Sequence, residues 1–124
     1  MERKFDLDER LINFAAEVID VSGALPNTIA GRHLAGQLVR SGTAPALHYG
    51  EAQGAESRKD FIHKLKIGLK ELRESFNCHR IIRKKKWYNE ERLIKILNEN
   101  NQLISIFVKS IDSARKNLGD NQNE

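Results

Sequence analysis

The feature that most limits how this chain can fold is the spacing of its apolar residues, which recur at steps of three and four in separate segments. Such spacing puts apolar side chains on one face of a helix, and no segment has the strict alternation of a half-buried strand. The sequence therefore predicts an all-α chain with four helices. They cover roughly residues 6–22, 28–55, 58–82 and 90–118, and we expect the polar tail at 119–124 to fray.

Short connections join the four segments, which favours antiparallel neighbours. At 124 residues, the chain has the length of one domain with a single hydrophobic core. Four amphipathic helices bury their apolar stripes most simply as a bundle. The prediction is a single-domain (1–124), antiparallel up-down-up-down four-helix bundle.

Residues that favour helix ends support these boundaries. Ser57 and Asp60 have the spacing of a capping box, in which a hydroxyl accepts a bond from a backbone N–H. Gly23 is suited to the left-handed conformation that often follows a helix. The other expected N-terminal caps are Asp6 or Asp8, Asn27 or Thr28, and Asn89.

The segment from Ser41 to Pro45 contains helix breakers inside an otherwise periodic run. Helical spacing continues on both sides, and Pro45 removes only one backbone hydrogen bond. We therefore predict one continuous second helix with a kink near Gly42–Pro45, in which the hydroxyls of Ser41 and Thr43 satisfy part of the freed backbone.

Two further patterns mark this region. Small residues at Ala46, Gly50 and Gly54 predict either close approach of another helix or a loose helix end. Polar residues also share faces of the second and third helices, where opposite charges can pair. Either this stripe is a solvated or intersubunit salt-bridge face, which we favour, or it has a binding or catalytic role. Its residues are Arg40, Ser41, His48, Glu51, Lys64, Glu71 and Glu74.

Positive charge is concentrated in one part of the chain. The net charge is +4, yet residues 57–88 contain eleven basic and three acidic residues. A basic run with aromatic neighbours at the end of the third helix is the best candidate for nucleic-acid binding, because cations meet phosphates while rings stack on bases. The alternative is a solvated helix C-terminus. The run comprises Arg80, Arg83, Lys84, Lys85, Lys86 and Trp87, followed by Tyr88.

Catalytic and metal-binding patterns are not supported. Asp60 and His63 are the only pair that approaches the Glu-x-x-His pattern of a di-metal bundle, so His33, His48, His63 and His79 are interpreted as core-edge or surface residues. Cys78, the single cysteine, is interpreted as a packing residue. We expect no enzyme activity and no cofactor. Without a signal peptide or a membrane-length apolar run, we expect a cytoplasmic location.

Two stretches carry a family resemblance. The first helix contains FAAEVIDVSGALP, followed by G-x-x-L-x-x-Q-L, and residues 40–75 read RSGTAPALHYGEAQGAESRKDFIHKLKIGLKELRES. These segments resemble the four-helix-bundle proteins encoded in intervening sequences of bacterial 23S rRNA genes. The resemblance covers nearly the whole chain and is weakest at the C-terminal end.

The resemblance implies a four-helix bundle that assembles into a homopentamer and has no established enzymatic activity. The fold is similar to that of basic accessory proteins of diversity-generating retroelements, which bind nucleic acid and a reverse transcriptase. Ala44 and His48 depart from the family pattern, where serine and asparagine are commoner, and His48 would make a polar network sensitive to pH. The residues that match it are Arg40, Ser41, Gly42, Glu51, Asp60, Phe61, Lys64, Leu65, Lys70, Glu71, Leu72 and Glu74.

Two functional hypotheses follow. In the first, which we prefer, the chain is a homo-oligomeric module that binds RNA, DNA or a ribonucleoprotein through the basic segment between Arg58 and Lys86. In the second, it is a structural or protein-partner scaffold, and the cations only solvate the end of the bundle. An enzyme ranks third.

Overall fold

The computed structural model describes the backbone of residues 6–123 and the side chains of residues 7–118. The predicted all-α class is confirmed, since this part of the chain forms four helices and no strand. The helices are α1 (Asp6–Gly23), α2 (Ile29–Gln53), α3 (Arg58–Lys85) and α4 (Glu90–Asn123).

The four helices pack around one core. Helix α2 lies between α1 and α3, while α4 packs mainly on α3 and also contacts α1. These contacts form a four-helix bundle; the opposite direction of neighbouring helices stays a prediction. Core side chains come from every helix, with Phe14 and Phe107 the largest that are fully buried. The remaining core includes Leu11, Val18, Leu38, Leu65, Leu72, Ile82, Leu93 and Leu103.

Three of the expected N-terminal caps are present. The hydroxyl of Thr28 accepts a hydrogen bond from the N–H of Gly31 at 3.0 Å, and that of Ser57 accepts one from the N–H of Asp60 at 3.0 Å. The side-chain oxygen of Asn89 accepts a bond from the N–H of Arg92 at 2.8 Å. Each cap satisfies an N–H that the first helical turn leaves without a partner.

Some helix ends differ from the predicted ones. Gly23 is still helical, and no described glycine has a positive φ, so the left-handed role predicted for Gly23 is wrong. Helix α3 continues past 82 to Lys85, because its last residues are good helix formers whose charge suits a C-terminus. Helix α4 is described to Asn123, beyond the predicted end at 118.

Helix α2 continues through Gly42 and Pro45, as predicted. The hydroxyl of Thr43 donates to the carbonyl oxygen of Val39 at 2.7 Å, whereas the buried hydroxyl of Ser41 has no hydrogen-bond partner. A kink at this point stays a prediction. Continuity matters for the site below, because it keeps the polar residues before and after Pro45 on one helix.

Two glycines allow neighbouring helices to pack closely. A Cβ at Gly42 would lie 2.5 Å from a methyl carbon of Val18 in α1, and one at Gly68 would lie 2.7 Å from the ring of Phe107 in α4. Gly50, for which the sequence left either close approach of another helix or a loose helix end open, has no neighbouring atom within 4 Å of a Cβ built on it. Close packing within this chain therefore occurs at Gly42 and Gly68.

Candidate functional site

The turn between α3 and α4 has an unusual backbone. The N–H of Lys86 bonds to the carbonyl oxygen of Arg83 at 3.0 Å, and that of Trp87 bonds to the carbonyl oxygen of Ile82 at 3.2 Å. These two bonds define a Schellman ending, in which the residue after the helix is left-handed and is most often glycine. Here that residue is Lys86, with a φ of 58°. The chain thus places a cation where glycine would be more stable.

A cleft of about 640 Å³ lies beside this turn. Its cations come from the last turns of α3 and from the turn itself, while an aromatic ring and an aliphatic side chain complete the lining. We call this the basic cleft, and its residues are Arg80, Arg83, Lys84, Lys86, Tyr88, Glu90 and Leu97. Four cations against one carboxylate leave it strongly positive.

Ion pairs and ring contacts position these side chains. The guanidinium of Arg83 donates to Glu90 Oε2 at 3.0 and 2.6 Å, and this hydrogen bond lowers the pKa of the Glu90 carboxyl. Arg80 donates to the side-chain oxygen of Asn77 at 3.2 Å. The guanidinium of Arg92 lies 5.7 Å from the centre of the Tyr88 ring, a cation–π contact that orients the ring.

The basic cleft unites most, but not all, of the basic run singled out in the sequence. Arg80, Arg83, Lys84 and Lys86 line it, whereas Lys85 and Trp87 do not. Instead, the ammonium of Lys85 lies 6.0 Å from the centre of the half-buried Trp87 ring. The aromatic residue that lines the cleft is Tyr88, and the contribution of Glu90 and Leu97 could not be read from local sequence because α4 brings them in.

The polar stripe between α2 and α3 forms two groups of ion pairs. In the first, Arg40 donates to Glu71 at 2.7 Å, to Gln37 at 2.8 Å and to Glu74. These bonds tie an exposed guanidinium of α2 to two carboxylates of α3. Ser41 follows Arg40 but is fully buried, so it does not join these ion pairs.

The second group lies nearer the α2–α3 turn. Lys64 donates to Glu51 at 2.9 Å, and this bond lowers the pKa of Glu51 and raises that of Lys64. His48 Nδ1 is 3.8 Å from Glu51, too far for a hydrogen bond, so the two attract each other only when the imidazole is protonated. Both groups of ion pairs link α2 to α3 within one chain.

A buried polar cluster, formed by Ser75, His79 and Asn100, lies in the core. All three side chains are fully buried. His79 Nδ1 is 3.2 Å from Asn100 Oδ1, and Asn100 Nδ2 donates to the carbonyl oxygen of Leu72 at 3.0 Å. The hydroxyl of Ser75 bonds to the same carbonyl oxygen at 2.9 Å. Burial lowers the pKa of His79 to about 4, so its imidazole is neutral at pH 7.

Sequence reasoning missed this buried polar cluster. The interpretation of His79 as a core-edge or surface residue is wrong, since its side chain is fully buried, and Asn100, which was not singled out from the sequence, is also fully buried. A signal was present: Ile96, Asn100 and Leu103 follow steps of four and three, so Asn100 lies on the apolar stripe. A polar residue on such a stripe is buried when its hydrogen bonds find partners.

Comparison with known proteins agrees with this architecture. The family model described as 23S rRNA-intervening sequence protein matches residues 3–109. The chain belongs to this family. None of the curated proteins is similar enough to count as a match.

A crystal structure of a protein of unknown function from the S23 ribosomal protein family of Bacteroides thetaiotaomicron is similar to this chain, with a TM-score of 0.78 and 27% sequence identity. The similarity covers 85% of this chain and 97% of that one. Within residues 6–123, no helix is both long and apolar enough to cross a membrane. No group of three or more His, Cys, Asp or Glu side chains that could hold a metal ion is found in the described part.

Proposed function

We propose that this chain is a non-enzymatic, oligomeric interaction protein that binds nucleic acid, free or within a ribonucleoprotein, through the basic cleft. The observation that carries the proposal is the convergence of four cations around Tyr88 in one cleft. Exposed cations attract phosphates and release condensed counterions, which is the main source of affinity for nucleic acid. An aromatic ring among them adds a surface on which bases stack.

The backbone at Lys86 gives separate support. A left-handed residue other than glycine costs about 1 kcal/mol or more, and such costs are typical of positions where function constrains the side chain. Lys86 lines the basic cleft and has this conformation. A solvated helix end would not require a lysine there, since glycine closes the same turn at lower cost.

Charge reversal tests the proposal. Lys84→Glu combined with Lys86→Glu should weaken binding of a fluorescent RNA or DNA by at least tenfold, because two phosphate contacts become repulsive. The matched control is Lys66→Glu with Lys70→Glu, two exposed lysines on α3, the helix that carries Lys84, that do not line the basic cleft. An equal loss of affinity in both double variants would indicate that net charge alone attracts the nucleic acid. It would contradict binding through the basic cleft.

The oligomeric part of the proposal rests on exposed apolar side chains and on the family resemblance, which favours a pentamer. Ile12 and Ile19 lie two turns apart on α1, with Ile19 54% exposed, and Leu47 on α2 is 65% exposed. Contiguous exposed apolar patches mark protein contact surfaces, and we propose that these side chains belong to one such patch. Light scattering should give a mass above that of the 14.2 kDa chain, and Ile19→Glu with Leu47→Glu should reduce it.

The same apolar residues support a second candidate, a scaffold that binds a protein partner and no nucleic acid. A partner held at the α1 and α2 surface would remain bound after charge reversal in the basic cleft, whereas nucleic acid would not. For the compartment, we propose the cytoplasm, because the buried free thiol of Cys78 suits a reducing environment.

A further inference from the structure

The lining of the basic cleft combines two chemistries, and only one of them is explained by attraction to phosphate. Arg80, Arg83, Lys84 and Lys86 supply charge. Tyr88 and Leu97 supply an aromatic and an aliphatic surface within the same cleft. A duplex presents phosphates on its outside while the faces of its bases stay stacked inside, so it would use the cations and leave these apolar surfaces without a partner.

The Tyr88 ring is also held in place. Its side chain is half-buried, and the Arg92 guanidinium lies 5.7 Å from the ring centre without lining the cleft. An oriented ring is a better stacking platform than a mobile one, because less conformational freedom is lost on binding. A cation over a tyrosine ring adds to base stacking in sites for single strands.

The size of the cleft fits a small group rather than a broad surface. A volume of about 640 Å³ lies within the range in which proteins enclose small ligands. The cations adjoin the apolar surfaces, which is the arrangement needed to hold a base and the phosphate attached to it.

We infer that the basic cleft takes an unpaired nucleobase, stacked at Tyr88, with its flanking phosphates on Arg80, Lys84 and Lys86, so that the protein selects single-stranded over duplex nucleic acid. This inference rests on the proposed function and narrows it. Arg83 is left out of the phosphate contacts because Glu90 already binds its guanidinium.

The test is an anisotropy titration with three probes of about 12 nucleotides and equal charge per strand, within the site sizes of single-strand binders. They are a single strand, the same strand in a blunt duplex, and a strand whose central nucleotides are abasic. RNA and DNA versions of the single strand identify the preferred sugar. The single strand should bind at least five times more tightly than the duplex and the abasic strand.

Variants at Tyr88 complete the test. Tyr88→Leu should weaken binding of the single strand about 5- to 100-fold and leave the affinity for the abasic strand unchanged. Tyr88→Phe keeps an aromatic ring and should retain the affinity for the single strand. If Tyr88→Leu does not fold by circular dichroism, the abasic probe and Tyr88→Phe still decide the matter. Equal binding of all three probes overturns this inference and leaves the proposed function intact. No binding of any probe at low salt overturns both.

Discussion

His79 Nδ1 lies 3.2 Å from Asn100 Oδ1 in the centre of the bundle, and both side chains are fully buried. Asn100 Nδ2 donates to the carbonyl oxygen of Leu72, so Oδ1 is the acceptor and Nδ1–H the donor. The tautomer is therefore assigned from the hydrogen-bond pattern. It leaves His79 Nε2 buried without a partner. The hydrogen bond between His79 and Asn100 therefore joins α3 to α4 through an imidazole that resists protonation.

Stability should fall in mild acid because of His79. Burial lowers its pKa from 6.5 to about 4, so between these values the unfolded chain binds a proton that the folded chain does not. The stability that the folded state gains by keeping His79 neutral is fully present above pH 6.5. It is lost as the pH falls towards 4, and the total loss is on the order of 3 kcal/mol. Urea unfolding at several pH values measures it. In His79→Gln, this part of the pH dependence should disappear; an unchanged profile would show that other groups cause it.

Alanine should have opposite effects on stability at Gly42, which packs against another helix, and at Gly50, which does not. Gly42→Ala places a methyl 2.5 Å from a methyl carbon of Val18 and should destabilise the bundle by about 1–3 kcal/mol. Gly50→Ala meets no atom within 4 Å and should stabilise α2 by up to about 1 kcal/mol. Denaturant unfolding of both variants checks the pair. Two shifts of the same sign would contradict the packing described for α1 and α2.

Lys86→Gly should separate stability from binding. Glycine adopts the left-handed φ of 58° without strain, so the variant should gain about 1 kcal/mol in the free energy of unfolding. It should also lose about three- to tenfold in affinity for nucleic acid, because one cleft cation is removed. Lys85→Gly is the control: it lies in the last helical position and outside the cleft, so it should lose stability and keep most affinity.

Glu90→Gln should raise the affinity of the basic cleft. The carboxylate bonds to Arg83 and repels phosphates, so its neutralisation should strengthen binding about two- to threefold at low salt. The free energy of unfolding should change little, because exposed ion pairs contribute little. Glu91→Gln, next in sequence but outside the cleft, provides the comparison. A loss of affinity in Glu90→Gln would mean that the carboxylate contacts the ligand favourably.

Much of the fold follows from local chemistry. Apolar spacing locates four helices, and the caps at Thr28, Ser57 and Asn89 follow from side chains that accept backbone N–H bonds. The continuity of α2 through Pro45 was predictable because one proline removes a single helical hydrogen bond. These features depend on residues within one or two turns of each other.

The rest depends on which residues meet across the bundle. Sequence spacing left Gly50 as either a close contact with another helix or part of a loose helix end, whereas the close contacts within this chain occur at Gly42 and Gly68, opposite Val18 and Phe107. Asn100 has the spacing of a core residue and the chemistry of a surface one. Only its partners in α3 decide between the two.

The candidate site, like the fold, was predictable from the sequence only in part. A run of cations at a helix end is visible in sequence, and four of them do converge. The ring that accompanies them is Tyr88 rather than Trp87, and the two rings follow one another directly after the left-handed turn at Lys86. A lysine at a glycine-type position has no local sequence signal.

The most direct test of nucleic-acid binding is its salt dependence. The wild-type protein is titrated with a fluorescent single-stranded RNA at about 50 and about 200 mM salt. Three phosphate contacts, at Arg80, Lys84 and Lys86, predict that the affinity falls roughly 20-fold between the two conditions. Absence of binding at the lower salt concentration, or an affinity that does not change with salt, would contradict the account.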